Sequence, residues 1–120
     1  MSKTVLIADD SMLMRQMIRD TLTTAGWTVV GEAVNGADAV EKYATLHPTA
    51  MTLDLVMPET DGLYALKNIV ATDPSAKIVV CSALEQTDVL KEAFRLGASD
   101  FVVKPFDRSV LAATVERVAG

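Results

Sequence analysis

Short apolar runs alternate with longer amphipathic segments along the whole of this 120-residue chain. The apolar runs have the length and residue types of buried strands, whereas the segments between them repeat their apolar positions every three to four residues, as helices do. This alternation indicates repeated βαβ units with a parallel sheet. The predicted strands lie at Val5–Ala8, Val29–Ala33, Met51–Leu53, Ile78–Cys81 and Phe101–Val103.

Residues that favour helix ends flank the amphipathic segments. Asn35 can cap the second predicted helix and Asp107 the fifth, while Gly97 is placed to end the fourth. The turn-forming pair Asp61-Gly62 precedes the third helix. In the fourth helix, the apolar residues that share one side are Val89, Leu90, Ala93 and Phe94.

The strand and helix pattern predicts an α/β fold in one domain, residues 1–120. Because parallel strands are connected by right-handed crossovers, helices on both faces of a sheet require a point where the winding reverses. We expect a doubly wound five-stranded parallel sheet, (βα)5 and flavodoxin-like, with the strand order 2-1-3-4-5. In that order a ligand crevice opens between the first and third strands.

Composition narrows the classes of function. A content of 50% hydrophobic and 22% charged residues is typical of a globular protein. The net charge of −5 argues against a nucleic-acid surface. No apolar stretch is long enough to span a bilayer, and Met1-Ser2-Lys3 does not start a signal peptide, so we expect a cytoplasmic protein without membrane insertion. The single cysteine, Cys81, is expected to pack in the core.

Polar residues follow four of the predicted strands directly. Asp9-Asp10 follow the first, Asp54 the third, Ser82 the fourth and Lys104 the fifth. If the strands are parallel, these side chains meet at one edge of the sheet. Two carboxylates about 4 Å apart repel each other by about 4 kcal/mol at an effective dielectric constant near 20, so either protonation or a cation must offset the charge. Mg²⁺ suits these oxygen ligands better than zinc does, since the chain has no Cys/His cluster.

This set of side chains is suited to phosphoryl transfer. Asp54 can act as a nucleophile toward phosphorus, because an aspartyl phosphate is an established covalent intermediate. A metal ion and Lys104 would share the charge of the transferring phosphoryl group, and Ser82 would donate a hydrogen bond to it.

Short motifs surround the polar strand ends along essentially the whole chain. They are Asp9-Asp10, Asp54-Leu55-Val56-Met57-Pro58, Asp61-Gly62, Ser82-Ala83, Gly97-Ala98 and Phe101 followed by Lys104-Pro105. Together these motifs resemble the receiver domain of two-component response regulators. Within that family the sequence most resembles single-domain chemotaxis regulators of the CheY type.

The resemblance implies a role for each site residue. Asp54 would accept a phosphoryl group from a histidine kinase. Asp10, Asp54 and the backbone carbonyl of Val56 would ligate Mg²⁺ directly, with Asp9 acting through water. Lys104 would pair with a phosphoryl oxygen, and the peptide bond between Lys104 and Pro105 would be cis.

A second implied feature is a switch formed by Ser82 and Phe101. In the family the hydroxyl moves toward the phosphoryl group and the aromatic side chain turns inward, which changes the surface of helix 4, strand 5 and helix 5. The family often has Thr and Tyr at these positions, so any output contact that needs the phenolic hydroxyl is absent here.

The function expected is therefore a phosphorylation switch that catalyses its own phosphorylation and dephosphorylation, turns over no metabolite and binds a downstream protein, such as a flagellar motor switch. A phosphorelay intermediate and a receiver fragment of a larger regulator are alternatives; the end of the chain at Gly120 favours a regulator that acts through its own surface. Leu84 and Val56 are positioned to influence water access to the site.

Two other classes of protein are compatible with parts of the pattern. A Mg²⁺-dependent phosphatase of the haloacid-dehalogenase type also uses an aspartate nucleophile, but it usually has a second acid two residues later, where this chain has Val56. A flavodoxin-like electron carrier would need hydrogen-bond donors for the flavin phosphate where Asp9-Asp10 lie.

Overall fold

The structure is a computed structural model that describes residues 3–83 and 86–120. Strands and helices alternate along these residues. The strands are β1 (Thr4–Ala8), β2 (Thr28–Ala33), β3 (Ala50–Asp54), β4 (Ile78–Ala83) and β5 (Asp100–Lys104). The helices are α1 (Met12–Thr24), α2 (Gly36–Leu46), α3 (Gly62–Thr72), α4 (Thr87–Leu96) and α5 (Arg108–Ala119).

The predicted helix ends are present. The side chain of Asn35 caps α2 by accepting a hydrogen bond of 2.8 Å from the backbone N–H of Asp38. Asp107 caps α5 in the same way, through the N–H of Ser109 at 2.8 Å. Gly97 ends α4 with a φ of 114°, a left-handed conformation that glycine adopts without a steric penalty.

The sheet confirms the predicted topology. Its strands are parallel and lie in the order β2-β1-β3-β4-β5. Ala8 of β1 pairs with Leu53 of β3, so the residues that follow them, Asp9 and Asp54, are at the same level of the sheet. Ala83 pairs with Lys104 at the corresponding end of β4 and β5. The register therefore brings the polar ends of β1, β3 and β5 to one edge.

Two hydrophobic clusters cover the two faces of the sheet, because successive strand side chains point to opposite faces. Leu6 of β1 packs with residues of α2, α3 and α4, on what we term the α2–α4 face. Its neighbour Ile7 packs with residues of α1 and α5, on the α1–α5 face. In the described part of the chain, no helix has both the length and the apolar composition needed to cross a bilayer.

The apolar residues on one side of α4 are not equally buried. Ala93 is fully buried, whereas the side chain of Phe94 is 42% exposed. Since β5 is the last strand of the sheet, the outer side of α4 lies at the sheet margin, and the Phe94 ring meets Phe101 of β5 there. The ring centroids are 5.9 Å apart, with the rings nearly perpendicular at 87°.

Candidate functional site

Three carboxylates converge where β1 and β3 end. One oxygen each from Asp9, Asp10 and Asp54 lies within 4.8 Å of the others. Asp9 and Asp54 are almost completely buried, at 1% and 7% exposure, while Asp10 is exposed. Asp10 therefore faces solvent at the mouth of a site whose inner wall is formed by the two buried acids.

Lys104 lies against the two buried acids from the end of β5. Its Nζ donates a hydrogen bond of 2.9 Å to Asp9 Oδ2 and is 3.2 Å from Asp54 Oδ2. The peptide bond between Lys104 and Pro105 is cis. A single ammonium group is thus shared between two carboxylates, while Asp10 carries a third negative charge beside them.

Burial controls the protonation chemistry of the site. Loss of hydration raises the pKa of the Asp54 carboxyl, and the charge of Asp9 acts in the same direction, against the opposing effect of Lys104. For Lys104, burial acts to lower the pKa, but the hydrogen bond to Asp9 and the charges of both carboxylates outweigh it and raise the pKa. Lys104 is therefore an ammonium ion at neutral pH, and the ionised cluster keeps an excess of negative charge.

The donor set fits a small, hard cation. Both carboxylate oxygens of Asp9 are already engaged, Oδ2 by Lys104 and Oδ1 by the N–H of Ser11 at 2.9 Å. Among the described residues, the Asp10 side chain has no hydrogen bond or ion pair, and Asp54 Oδ1 accepts only a long bond of 3.2 Å from the N–H of Val56. Mg²⁺ usually binds one or two carboxylates and keeps several waters, which this arrangement of engaged and available oxygens allows.

The loop from β3 to α3 packs directly against the main chain of Asp54. A Cβ on Gly62 would lie 2.2 Å from the Asp54 carbonyl oxygen and 2.6 Å from Leu55 Cα, so no other residue fits there without a backbone shift. Asp61 caps α3 through the N–H of Tyr64 at 2.9 Å. The sequence predicts Asp61-Gly62 as turn residues, but no signal in it reveals this close approach of Gly62 to the site.

Ser82 and Phe101 share a face of the sheet, opposite to that of Asp54. Val80 belongs to the α2–α4 face and pairs with Phe101, and Ser82 is two residues further along the same strand. Leu53 also belongs to that face, so alternation directs Asp54 to the α1–α5 face. The buried Ser82 side chain and the Asp54 carboxylate therefore lie on opposite faces of the sheet, both near its carboxyl edge.

Of the two residues predicted to influence water access, the structure describes only Val56. Val56 borders the site with a side chain that is 52% exposed, and Leu84 lies outside the described residues. Arg15 of α1 was not predicted, yet its guanidinium donates a hydrogen bond of 2.8 Å to the carbonyl oxygen of Asp9. Glu32 of β2 holds Arg15, and the register of β2 against β1 sets its position. That register shifts between Val5 and Leu6, which the predicted strand order does not give.

Comparison with known proteins finds one family along nearly the whole chain. The response regulator receiver domain matches residues 5–116. The chemotaxis protein CheY of Thermotoga maritima is 49% identical over 119 residues, 99% of each chain, and that of Bacillus subtilis is 49% identical over 106 residues, 88% of each.

Solved structures show the same similarity. The crystal structure of the CheX–CheY–BeF3–Mg²⁺ complex from Borrelia burgdorferi matches with a TM-score of 0.90 and 34% identity, covering 96% of this chain and 87% of the other. The response regulator domain of Thermotoga maritima CheB matches with a TM-score of 0.85 and 33% identity, covering 98% and 94%.

Proposed function

Because the chain belongs to the response regulator receiver family, we propose that it is a phosphorylation-controlled switch of chemotaxis that accepts a phosphoryl group on Asp54 from a histidine kinase. The whole chain, residues 1–120, is proposed to be one receiver domain. The observation that carries this proposal is the position of the Asp54 carboxylate, 3.2 Å from the Lys104 ammonium and inside a cluster of three acids.

Receiver domains of this family generally bind Mg²⁺ at an aspartate cluster, and this chain has such a cluster. We propose that Asp10, Asp54 and the backbone carbonyl of Val56 hold the ion directly. Asp9 acts through water, in agreement with the engagement of both its oxygens by Lys104 and Ser11. When bound, the ion supplies charge neutralisation for the acids and for the phosphoryl oxygens.

The protein residues carry out the transfer. A carboxylate oxygen of Asp54 forms a bond to phosphorus as the bond from phosphorus to the kinase histidine breaks, and the electron pair of that bond returns to the imidazole. Lys104, already between Asp54 and Asp9, pairs with a phosphoryl oxygen as charge moves onto the new group. In the reverse role, water bonds to phosphorus as the bond from phosphorus to the Asp54 oxygen breaks, which restores the carboxylate and releases inorganic phosphate. The protein thus turns over no metabolite in this proposal.

The response is proposed to pass through Ser82 and Phe101 to the surface of α4, β5 and α5. These two side chains lie on the same sheet face, so a movement of Ser82 toward Asp54 changes the space beside Phe101. Phosphorylation is thus a new local charge that biases a two-state element.

Chemotaxis is supported by relatives named CheY at 46–49% identity. The proposed partners are a histidine kinase and a downstream protein such as a flagellar motor switch. Roles as a phosphorelay intermediate or as the receiver of a larger regulator remain alternatives. The haloacid-dehalogenase type of phosphatase lacks support, because the site has no acid in place of Val56.

The test of Asp54 is incubation of the protein with Mg²⁺ and acetyl phosphate, followed by intact-protein mass spectrometry. Wild type should gain one phosphoryl group that is stable in acid and labile in base, and chelation of Mg²⁺ should prevent the gain. Asp54→Asn should gain none, whereas Asp107→Asn, which changes an exposed helix cap, should be labelled as wild type is. An unlabelled wild type, or equal labelling of Asp54→Asn, would refute the proposal.

The chemotaxis assignment has its own test. Beryllofluoride-treated and untreated protein are used to capture partners from an extract of the source cells. Enrichment of a motor switch protein by the treated form is expected. Enrichment of a phosphotransferase instead would identify a phosphorelay intermediate.

A further inference from the structure

We propose that Arg15 is a positioning residue for the metal-binding acids: it fixes the peptide group that joins Asp9 to Asp10 and so directs Asp10 into the site. This inference rests on the proposed function, because it concerns the same Mg²⁺ site. It assigns a role at this site to Arg15 of α1, which lies outside the acidic cluster, and to Glu32 of β2, whose carboxylate holds Arg15.

Arg15 connects the loop after β1 to the neighbouring strand. Its Nη1 donates a hydrogen bond of 2.8 Å to the carbonyl oxygen of Asp9, and its Nε donates one of 2.7 Å to Glu32 Oε1. The Arg15 side chain is only 15% exposed, so both bonds are largely shielded from water. Hydrogen bonds in which the donor or the acceptor is charged are shorter and stronger than neutral ones.

The bonded oxygen belongs to the peptide that carries the Asp10 N–H. Since a peptide group is planar, fixing its oxygen also fixes the direction in which the chain enters Asp10. The preceding side is fixed too, because the N–H of Asp9 donates to the carbonyl oxygen of Ala33 at 3.0 Å. The exposed Asp10 side chain has no partner of its own among the described residues, so its placement depends on this backbone.

Glu32 is itself held in place. Its second carboxylate oxygen accepts from Arg19 at 2.9 and 2.5 Å, so the two arginines engage both oxygens of one carboxylate. Burial acts to raise the Glu32 pKa, but hydrogen bonds and charge from Arg19 and Arg15 outweigh it and lower the pKa. Glu32 is therefore ionised at neutral pH and holds the guanidinium of Arg15 against the loop.

The sign of the effect separates positioning from simple electrostatics. Removing a cation beside an acidic site should strengthen Mg²⁺ binding if only charge matters. If Arg15 positions Asp10, its removal should weaken binding instead. Loss of residues that orient metal ligands typically costs 10–100-fold in metal affinity.

The experiment is Mg²⁺ titration by isothermal calorimetry of wild type, Arg15→Met, Arg15→Lys and Arg19→Met. Arg15→Met should raise the Mg²⁺ dissociation constant about tenfold. Arg15→Lys keeps the charge but lacks the planar guanidinium that donates to Asp9 and Glu32 at once. Its Mg²⁺ dissociation constant should therefore lie between those of wild type and Arg15→Met. Arg19→Met is the matched control, because it also loses a salt bridge to Glu32, whereas Arg19 donates no hydrogen bond to the Asp9–Asp10 loop within residues 3–83 and 86–120. The Mg²⁺ dissociation constant of this variant should match that of wild type.

A second readout needs no metal. In EDTA, the backbone amide resonance of Asp10 should shift in Arg15→Met and much less in Arg19→Met, because only Arg15 bonds to that peptide. Should Arg15→Met fail to fold, Arg15→Lys carries the comparison in both measurements.

The outcomes are distinct. Mg²⁺ binding by Arg15→Met that is equal to or tighter than that of wild type overturns this inference and leaves the proposed function standing. An equal loss of affinity in Arg19→Met would also overturn it, since general loss of the salt bridges would then explain the effect. A wild type that binds no Mg²⁺ overturns the proposed function and this inference together.

Discussion

Replacing Asp54 by Asn should stabilise the protein when Mg²⁺ is absent and remove much of the stability that Mg²⁺ adds. In EDTA the buried Asp54 carboxylate lies within 4.8 Å of oxygens of Asp9 and Asp10. The side-chain amide of Asn has a similar shape and no charge. The substitution therefore tests whether negative charge at this position is unfavourable in the folded protein.

The magnitude follows from the distances. At an effective dielectric constant near 20, two carboxylate charges no more than 4.8 Å apart repel each other by at least about 3.5 kcal/mol, and the Lys104–Asp54 pair at 3.2 Å is worth about 5 kcal/mol of attraction. The repulsion from Asp9, with a screened contribution from exposed Asp10, offsets most of the attraction to Lys104. The burial of Asp54 is then left uncompensated, in agreement with its raised pKa. We expect Asp54→Asn to raise the free energy of unfolding in EDTA by about 1 kcal/mol, which corresponds to about 4 °C in Tm for a domain of this size.

The dependence on pH has a definite sign. A carboxyl whose pKa is higher in the folded than in the unfolded protein destabilises the fold above that folded pKa, and the penalty disappears as the pH falls and the group is protonated. The advantage of Asp54→Asn in EDTA should therefore shrink on acidification. With Mg²⁺ at about 100 times its dissociation constant, wild type should gain about 2.7 kcal/mol. The variant lacks one ligand charge and should gain less, so the order of stability should invert.

The assay is urea denaturation followed by circular dichroism, in EDTA and in Mg²⁺, for wild type, Asp54→Asn and Glu41→Gln. Glu41 is an exposed acid of α2, and its replacement removes the same charge away from the cluster. Glu41→Gln should follow wild type in both buffers. Destabilisation by Asp54→Asn in EDTA, or an unchanged order in Mg²⁺, would contradict the reasoning.

Three further substitutions probe packing and hydrogen bonding in the fold, each by urea denaturation. Gly62→Ala places a Cβ 2.2 Å from the Asp54 carbonyl oxygen and should lower the free energy of unfolding by about 2–3 kcal/mol. The variant should also take up less phosphoryl group. A change in unfolding free energy near zero would show that α3 shifts freely. Thr52→Val should raise the free energy of unfolding by about 1 kcal/mol, because the buried Thr52 hydroxyl has no hydrogen-bond partner among the described residues. A decrease instead would show that the hydroxyl does have a partner. Tyr43→Phe should lower the free energy of unfolding by about 1 kcal/mol at neutral pH, because it removes the 2.7 Å bond to Asp73. This is less than the roughly 1.5–3 kcal/mol of a bond to a charged group, since Asp73 is partly exposed and solvent screens the interaction. That bond lowers the Asp73 pKa, so the cost should be present above the unfolded pKa and vanish as the pH falls through the folded one; a constant cost down to about pH 3 would contradict this.

The residues that sequence analysis placed correctly are those whose positions follow from strand ends. Asp54 and Lys104 each end a strand, and in a parallel sheet such ends share one edge whatever the details of packing. Arg15 and Glu32 were not found, because their pairing depends on how β2 sits beside β1. Periodicity placed Phe94 on one side of α4 with Ala93, but it does not tell how far the sheet extends beneath that side, so it does not give the exposure of Phe94.

Under the switch proposed above, the contact between Phe94 and Phe101 would oppose activation of the unphosphorylated protein. An edge-to-face ring pair is worth about 0.5–1.5 kcal/mol, and an inward rotation of Phe101 would break it. At room temperature that energy corresponds to a factor of about two to twelve in the fraction of molecules that would adopt the inward state spontaneously. If Phe101 turns in this way, the residue at position 94 sets the background output of the switch and can be changed without altering the chemistry at Asp54.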